Sequence, residues 1–180
     1  MPIWEMIAAN PEQGAKALLA AYKERLHAFA YRLCGSGSFA EDLTMRTMER
    51  AVRANGRFAS EQAYFTFLCT ILVNLYRDDM RLKAANALDF MEETPEMEDS
   101  RPTPADALAA KSDAEAVKYA ISRLSPILRE SLVMRYYGGL SIEEIAKALS
   151  APEGTIKFRL SEARRKIQEF LTQRGGAFAR

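Results

Sequence analysis

Apolar residues recur along most of this chain at steps of three and four, which is the period of an amphipathic α-helix. In the first half they mark three successive helices. Their inward positions are Leu18, Tyr22, Leu26, Phe29 and Leu33 in the first, Leu43, Thr47 or Met48, and Ala51 in the second, and Tyr64, Phe67, Leu68, Ile71, Leu72 and Leu75 in the third. We expect a shorter helix at residues 4–9, where Trp4 packs that segment onto the others. No segment clearly follows the two-residue period of a strand, so we predict an all-α fold.

Residues that favour helix ends bound these segments. Gly35 can adopt the left-handed conformation that ends a helix, and the Asn55-Gly56 pair can end the next one. Ser38-Phe-Ala-Glu41 has the spacing of a capping box, and Ser60 can cap the third long helix. These signals predict a compact first domain of three helices, or of four with the short N-terminal one.

Charge and proline content then divide the chain. Residues 86–104 are acidic, contain three prolines and lack a helical period, so we interpret them as a flexible linker. They separate a first domain at residues 1–85 from a second at residues 105–180, where Thr103-Pro-Ala-Asp106 restarts helix. The net charge of the whole chain is only +1 at pH 7. Basic residues must therefore be interpreted by position and not by their total.

The last third of the chain has the pattern of a helix-turn-helix within a domain of four helices. Ser141-Ile-Glu-Glu144 is a capping box, and a second helix can begin at Pro152 after a short turn. The inward positions of that second helix are Ile156, Leu160, Ala163, Ile167 and Phe170 or Leu171. Its outward positions are Lys157, Phe158, Ser161, Glu162 and Arg165, with Arg159 and Arg164 at the flanks. In this motif the second helix enters the major groove, so the pattern predicts DNA as the ligand.

The motifs around this segment resemble region four of bacterial sigma factors, and most closely those of the extracytoplasmic-function group. They are Leu124-Ser125-Pro126, Tyr136, Gly139-Leu140-Ser141, Glu143-Glu144-Ile145-Ala146 and Gly154-Thr155-Ile156-Lys157. The resemblance implies that the second domain is like region four and reads the upstream (−35) element of a promoter. The residues implied in that recognition are Thr155, Lys157, Phe158, Arg159, Ser161, Glu162 and Arg165.

The first domain resembles region two of the same family. Ala40-Glu41-Asp42-Leu43 is similar to the start of its polymerase-binding helix, and Tyr64, Phe67-Leu68, Ile71, Asn74 and Asp78 match its promoter-melting helix. The resemblance implies core RNA polymerase and promoter DNA, both duplex and melted, as partners. Family members are often held inactive by an anti-sigma factor, so such a protein is a further candidate partner.

Capture of a melted strand at the downstream (−10) element needs a base pocket, polar groups and positive charge. The resemblance gives this role to Asn74 and Asp78, and further candidates follow from position and chemistry: Arg77 and Arg81 on neighbouring turns can meet phosphates, and Phe65 offers an aromatic ring. The glycine-containing segment at residues 55–60, with Arg57 and Phe58, can form the wall of the pocket. Phe65 lies off the inward stripe and is the aromatic residue expected to be exposed, whereas Tyr64 and Phe67 fit the core. The alternative for Asn74 is an ordinary polar residue on the solvated face of an amphipathic helix.

The chain departs from the family pattern at several positions. The polymerase-binding set implied by the resemblance is Asp42, Met45, Arg46, Glu49 and Arg50. Met45 and Arg46 stand where the family usually has a Gln-Glu pair, so the interaction is either rewired or made to a different partner surface. Near the turn, Phe158 replaces a small polar residue, Glu162 replaces a frequently basic one, and Ser150 replaces a glycine that favours a left-handed conformation.

Other functions find less support in the sequence. A DNA-binding regulator that does not act as a polymerase subunit would use only the helix-turn-helix. In a pure protein-interaction module, the basic residues of both domains would face solvent and would not bind DNA. An enzyme lacks a phosphate loop, a metal cluster or a nucleophilic set, so we expect no catalysis, cofactor or metal. Cys34 and Cys69 fit buried free thiols. Without a signal peptide or a long apolar span, we expect a cytoplasmic protein that does not insert into membranes.

Overall fold

A computed structural model describes residues 1–54, 56–89 and 113–177. The chain divides into two compact units, Met1–Ser100 and Arg101–Arg180. Over the described residues every regular element is helical, which confirms the all-α prediction. The helices are α1 (Ile3–Ala9), α2 (Pro11–Cys34), α3 (Gly37–Arg53), α4 (Glu61–Asp89), α5 (Asp113–Arg123), α6 (Pro126–Tyr136), α7 (Ile142–Leu149) and α8 (Glu153–Ala177).

Local capping explains where most helices of the N-terminal unit begin and end. The Asn10 side chain accepts from the backbone N–H groups of Glu12 and Gln13, so α2 follows α1 after one residue. Gly35 ends α2 in the left-handed conformation with φ of 72°, as the sequence predicts. The Ser60 hydroxyl accepts from the N–H of Ala63 at 3.1 Å and caps α4, which is also as predicted.

The start of α3 differs from the prediction. Its cap is Ser36, whose hydroxyl accepts from the N–H of Phe39 at 3.4 Å, and not Ser38. Because Gly35 is the only residue between the end of α2 and Ser36, α3 begins at Gly37 and Ser38 already lies in its first turn. The predicted Ser38–Glu41 capping box is therefore wrong by two residues.

The core of the N-terminal unit is built around α4, which packs against both α2 and α3. Its buried apolar positions come in neighbouring pairs, and they are Tyr64 and Phe65, Leu68 and Cys69, Leu72 and Val73, and Leu75 and Tyr76. A helix that faces two neighbours needs an apolar arc wider than the single stripe that its period suggests. Phe67 and Ile71, which we expected to be inward, are consequently only half-buried.

Phe65 shows the effect of this wide arc most directly. The residue has no exposed surface, and its ring stacks on Tyr22 with ring centroids 6.0 Å apart. The guanidinium of Arg25 lies 3.5 Å from the centroid of the same ring. The prediction that Phe65 is an exposed aromatic residue is wrong, because α4 buries the side of the helix on which it lies.

In the C-terminal unit, α5, α6 and α7 all pack against other helices of the unit, with α8 contacting each of them. Leu140, Ile145, Ile156 and Ala163 are completely buried there. Arg129, only 3% exposed, donates to the backbone carbonyls of Ser122 and Leu124 at 3.1 and 2.9 Å. These carbonyls belong to the end of α5, where the helix itself provides no N–H partner. The buried guanidinium therefore ties the end of α5 to α6.

Helices α7 and α8 form the predicted helix-turn-helix. The Ser141 hydroxyl accepts from the N–H of Glu144 at 3.1 Å, and the Glu144 carboxylate accepts from the N–H of Ser141 at 2.7 Å, which confirms the capping box. Ser150 ends α7 with φ of 50° and ψ of 48°. Helix α8 begins at Glu153, and Pro152 instead precedes it, with its carbonyl accepting from the N–H of Ile156.

Two predicted boundaries fall near residues that the structure does not describe. Helix α4 continues to Asp89, past the predicted start of the linker at Asn86. The remainder of the predicted linker, and the predicted restart of helix at Thr103-Pro-Ala-Asp106, lie outside the described residues.

Ser150 is the only non-glycine residue with positive φ among the described residues. We predict that Ser150→Gly stabilises the protein by about 1 kcal/mol, because a side chain in the left-handed region carries strain of this order. Urea unfolding monitored by circular dichroism measures the change. The matched control is Ser161→Gly within α8, which should destabilise by about 0.5 kcal/mol because glycine is a poorer helix former than serine. Equal effects of the two substitutions would contradict the assignment of strain to Ser150.

Candidate nucleic-acid and polymerase interfaces

One face of α8 carries the residues predicted to contact duplex DNA. Lys157, Phe158, Ser161 and Arg165 are exposed, and Thr155, Arg159 and Glu162 are half-buried at the edges of this outer face. The opposite face is apolar and packs against the rest of the unit through Ile156, Leu160 and Ala163. The predicted residues therefore lie on one continuous surface, which a rigid core holds in place.

Phe158 is the most unusual member of this surface, since 67% of its area is exposed. It lies next to Lys157, so one turn of α8 presents an apolar ring beside a positive charge. An aromatic side chain can contact the methyl group of thymine in the major groove, and a neighbouring lysine can contact a phosphate. This pair is chemically suited to duplex DNA.

Two cations of the outer face of α8, Lys157 and Arg165, have acids of the same helix as neighbours. Arg165 forms ion pairs with Glu162, at 2.6 Å, and with Glu169. Lys157 lies 4.0 Å from Glu153. Hydrogen bonding to Arg165 lowers the pKa of Glu162, and the same hydrogen bond, with the charges of both glutamates, raises the pKa of Arg165. Glu162, a departure noted in the sequence, thus reduces the positive potential by direct pairing with Arg165.

The exposed face of α3 carries most of the residues predicted to contact polymerase. Asp42, Met45, Glu49 and Arg50 are exposed, and 40% of the area of Met45 is open to solvent. Acidic, apolar and basic groups thus share one helix face. Charged groups on such a face can orient a partner protein and select it by complementary charge.

Arg46, the fifth predicted polymerase residue, is half-buried and bonds within the unit. Its guanidinium donates to both carboxylate oxygens of Asp79 on α4, at 2.7 and 3.1 Å, and to Asp42 at 3.0 Å. These hydrogen bonds, first to Asp79 and then to Asp42, raise the pKa of Arg46. A bidentate interaction between a guanidinium and a carboxylate fixes the relative orientation of the two groups in addition to pairing their charges. Arg46 therefore joins α3 to α4.

Asp79 is a residue that the sequence prediction missed. It belongs to no recognisable motif, and its partner lies 33 positions earlier in the chain. The available signal was the basic Arg46 in a place that is usually acidic, which calls for a compensating acid nearby. Periodicity could not identify which of the acids on α4 supplies it.

The polar face of α4 brings together four of the residues predicted to meet a melted strand. Three of them follow Asn74 by three, four and seven positions, and they are Arg77, Asp78 and Arg81. All four residues therefore lie on one side of the helix. Asn74 and Asp78 are exposed, and Arg81 pairs with Asp78 at 3.4 Å. Phe65 does not belong to this surface, because it is buried on the other side of α4.

The segment between α3 and α4 presents Arg57 to solvent but holds Phe58 in an aromatic cluster. The members of this cluster are Trp4, Phe58, Tyr64 and Phe67. Phe58 lies 4.9 Å from both Tyr64 and Phe67, measured between ring centroids. A Cβ atom on Gly56 would lie 2.7 Å from the Phe58 ring, so a side chain at this position would require that ring to move. The predicted pocket wall is thus already ordered by packing.

Other chemistry is limited within the part of the chain that the structure describes. No group of three or more potential metal ligands occurs there. Cys69 is buried, and burial raises the pKa of its thiol, whereas Cys34 is only half-buried and donates to the carbonyl of Ser36. Among the described residues, no helix has both the length and the hydrophobicity needed to cross a membrane.

Comparison with known families matches both units. Residues 18–86 match the family model of sigma-70 region 2, and residues 114–167 match that of sigma-70, region 4. The first matched stretch contains α3 and most of α4, and the second contains the helix-turn-helix. The two regions follow each other in the order that the sequence motifs indicate.

Individual relatives extend this similarity over most of the chain. The ECF RNA polymerase sigma factor EcfG of Rhodopseudomonas palustris is 31% identical over 146 residues, which cover 81% of this chain and 78% of that protein. The RNA polymerase sigma-H factor of Pseudomonas aeruginosa is 24% identical over 93% of this chain and 91% of its own. The sigma factor RpoE of Bartonella quintana, solved with the anti-sigma factor NepR, is 29% identical with a TM-score of 0.66, covering 87% of this chain and 96% of that one.

Proposed function

Since this chain belongs to the extracytoplasmic-function group of RNA polymerase sigma factors, alternative sigma factors that direct transcription initiation, we propose that its two units share the work of promoter recognition. The match of both sigma regions, in order, on the two units carries this proposal. Sigma factors are known as non-catalytic initiation factors, and we propose that this chain likewise catalyses no reaction and acts in the cytoplasm. We propose residues 1–85 and 105–180 as the two functional domains, joined by an acidic linker.

The C-terminal unit is proposed to read the upstream promoter element with α8. Lys157 and Arg165 contact phosphates, while Phe158 and Ser161 meet base edges in the major groove. Thr155 and Arg159 flank this surface, and Glu162 sets the position of the Arg165 guanidinium. The support for this assignment is the exposed outer face of α8 above its buried apolar face.

The N-terminal unit is proposed to bind core RNA polymerase through α3. Asp42, Met45, Glu49 and Arg50 form the binding surface, since they share the exposed face of this helix. Arg46 acts within the unit by holding α3 against α4 through Asp79. The departure from the family pattern at Arg46 thus adds an ion pair between α3 and α4 within the unit.

Promoter opening is proposed to depend on the polar face of α4 together with the preceding segment. Asn74 offers a donor and an acceptor to the edge of an extruded base. Arg77 and Arg81 meet the backbone of the melted strand, and Arg57 approaches it from the segment between α3 and α4. Asp78 holds Arg81 in place at 3.4 Å.

We also propose that an anti-sigma factor regulates this chain. The similar sigma factor RpoE of Bartonella quintana was solved in complex with the anti-sigma factor NepR. The exposed apolar residue Met45, on the proposed polymerase surface, is available to a competing protein. A regulator that binds DNA without polymerase is the less favoured alternative, because it leaves the region 2 match without a role.

For the upstream element, we predict that Lys157→Ala and Arg165→Ala each weaken binding of the polymerase complex to duplex promoter DNA. Each removes one cation from a phosphate, which should reduce the slope of log affinity against log salt by about 0.9. Glu162→Gln should strengthen binding, since it removes an acid from the same face. Fluorescence anisotropy at several salt concentrations measures these changes. Lys16→Ala, which removes an equally exposed and paired lysine from α2, is the control. Unchanged salt slopes in the Lys157/Arg165 double variant would contradict the assignment.

For polymerase binding, we predict that Asp42→Arg abolishes association with core RNA polymerase, because it places a positive charge at the centre of the proposed surface. Copurification with core polymerase measures binding, and circular dichroism verifies that the variant is folded. Glu12→Arg reverses another exposed, ion-paired acid, at the start of α2, and should leave binding unchanged. Normal copurification of the Asp42 variant would show that the surface lies elsewhere.

For promoter opening, we predict that Asn74→Ala leaves polymerase binding intact but lowers melting of a linear duplex promoter by about tenfold, since the variant cannot read the edge of the extruded base. Permanganate footprinting of unpaired thymines measures melting. Gln62→Ala removes another exposed amide from the same helix and should have no effect. A pre-opened template should restore transcription by the Asn74 variant. Wild-type melting by that variant would make Asn74 an ordinary surface residue.

A further inference from the structure

Helix α1 places an aromatic ring against the segment that connects α3 to α4. The Trp4 ring lies 5.6 Å from Phe58 at 69° and 5.3 Å from Tyr64, measured between ring centroids. Phe58 therefore has Trp4 on one side and the α4 residues Tyr64 and Phe67 on the others. Residues 3–9 lie before the stretch that matches sigma-70 region 2. The contact between Trp4 and Phe58 therefore joins a helix outside the matched stretch to a segment within it.

A second interaction fixes the position of α1. Gly14 of α2 lies directly against the backbone of Ile7, and a Cβ atom at Gly14 would be 2.4 Å from the Ile7 Cα. Ile7 itself is buried, at 4% exposed. Asn10 joins the two helices and caps α2. Because both the Ile7 backbone and the Asn10 junction are held, α1 has little freedom to move Trp4 away from Phe58.

The segment preceding α4 is held at Phe58 by ring packing and at Ser60 by hydrogen bonds from the first turn of α4. It contains no helix or strand over residues 56–60, and Phe58 is its aromatic anchor. The anchor packs on Tyr64, whose hydroxyl is buried and has no hydrogen-bond partner within the described residues. Burial raises the pKa of Tyr64 to about 12. Among the described residues, Trp4 makes one of three ring contacts to Phe58, and its contact comes from α1, whereas the other two come from α4.

We propose that α1 is a positioning element for promoter opening, in which Trp4 holds Phe58 so that the segment at residues 56–60 presents Arg57 to the melted strand. This inference rests on the proposed role of that segment in strand capture. Trp4 is only half-buried and lies at the edge of the unit, whereas the core of α2, α3 and α4 does not include it. Removal of the Trp4 ring should therefore release the segment without unfolding the unit.

The packing itself can be observed, because Trp4 is the only tryptophan of the chain. In the free full-length protein, Phe58→Ala should shift Trp4 emission to longer wavelength, as the indole becomes more exposed to solvent. Gly14→Ala should do the same by forcing α1 away from α2, although alanine favours the helical state of α2 itself. Gly37→Ala is the matched control, since a Cβ atom there meets nothing within 4 Å.

Function is tested in the complex with core polymerase on a linear duplex promoter. Trp4→Ala and Gly14→Ala should each lower permanganate-detected melting by about tenfold, the factor that corresponds to about 1.4 kcal/mol of aromatic packing. Polymerase binding should be unchanged, a pre-opened template should restore transcription, and Trp4→Phe should retain most of the melting because it keeps an aromatic ring against Phe58.

Wild-type melting by Trp4→Ala, or by a Gly14→Ala protein whose emission has shifted, overturns the proposal. So does a defect in transcription that the pre-opened template fails to restore, since that indicates general damage to the unit. If Arg57→Ala and Phe58→Ala also melt the promoter normally, the proposed role of the segment is itself wrong. If those two variants fail while Trp4→Ala is normal, only the role of α1 is wrong.

Discussion

The N-terminal unit depends on α4 being buried along an arc wide enough to face two helices. Paired apolar positions such as Leu68 with Cys69 and Leu72 with Val73 let α4 pack against α2 and α3 together. Full burial of each large apolar side chain contributes about 1.5–3 kcal/mol. This arc leaves one polar strip for Asn74 and its neighbours, so the packing of α4 decides which residues remain available to a ligand.

Arginine ion pairs have different roles in the two units. Arg46 uses its charge to join α3 to α4, and Arg165 is held by two glutamates on α8. The two cases differ, because Arg46 is half-buried and contacts another helix, whereas the Arg165 pairs lie within one helix on its outer face. Exposed pairs contribute little to stability, so a phosphate can replace Glu162 or Glu169 on Arg165 at little cost in free energy. The same residue type thus serves structure in one unit and remains available for binding in the other.

Short-range signals in the sequence were enough to predict much of the fold. The Ser141–Glu144 capping box, the left-handed Gly35 and the Ser60 cap each depend on a few neighbouring residues, and all are confirmed. One local signal failed, since Ser36 and not Ser38 caps α3. The other failures depend on tertiary neighbours: Phe65 is buried because α4 has two packing partners, and Arg46 meets Asp79 from 33 positions away. For the site, periodicity placed the outward residues of α8 correctly, but it could not reveal that their charges are already paired.

This pairing bears on how the chain would reach a promoter. Its net charge is +1, and Lys157 and Arg165 on the outer face of α8 already have acidic neighbours. Sequence-independent attraction to DNA comes from basic residues that release counterions, and it grows with the number of phosphates neutralised. The acids beside these cations repel phosphates, so the outer face of α8 attracts DNA less strongly than the same cations would alone. Under the proposed function, α8 therefore depends more on the contacts of Phe158 and Ser161 with base edges than on general attraction to the phosphates.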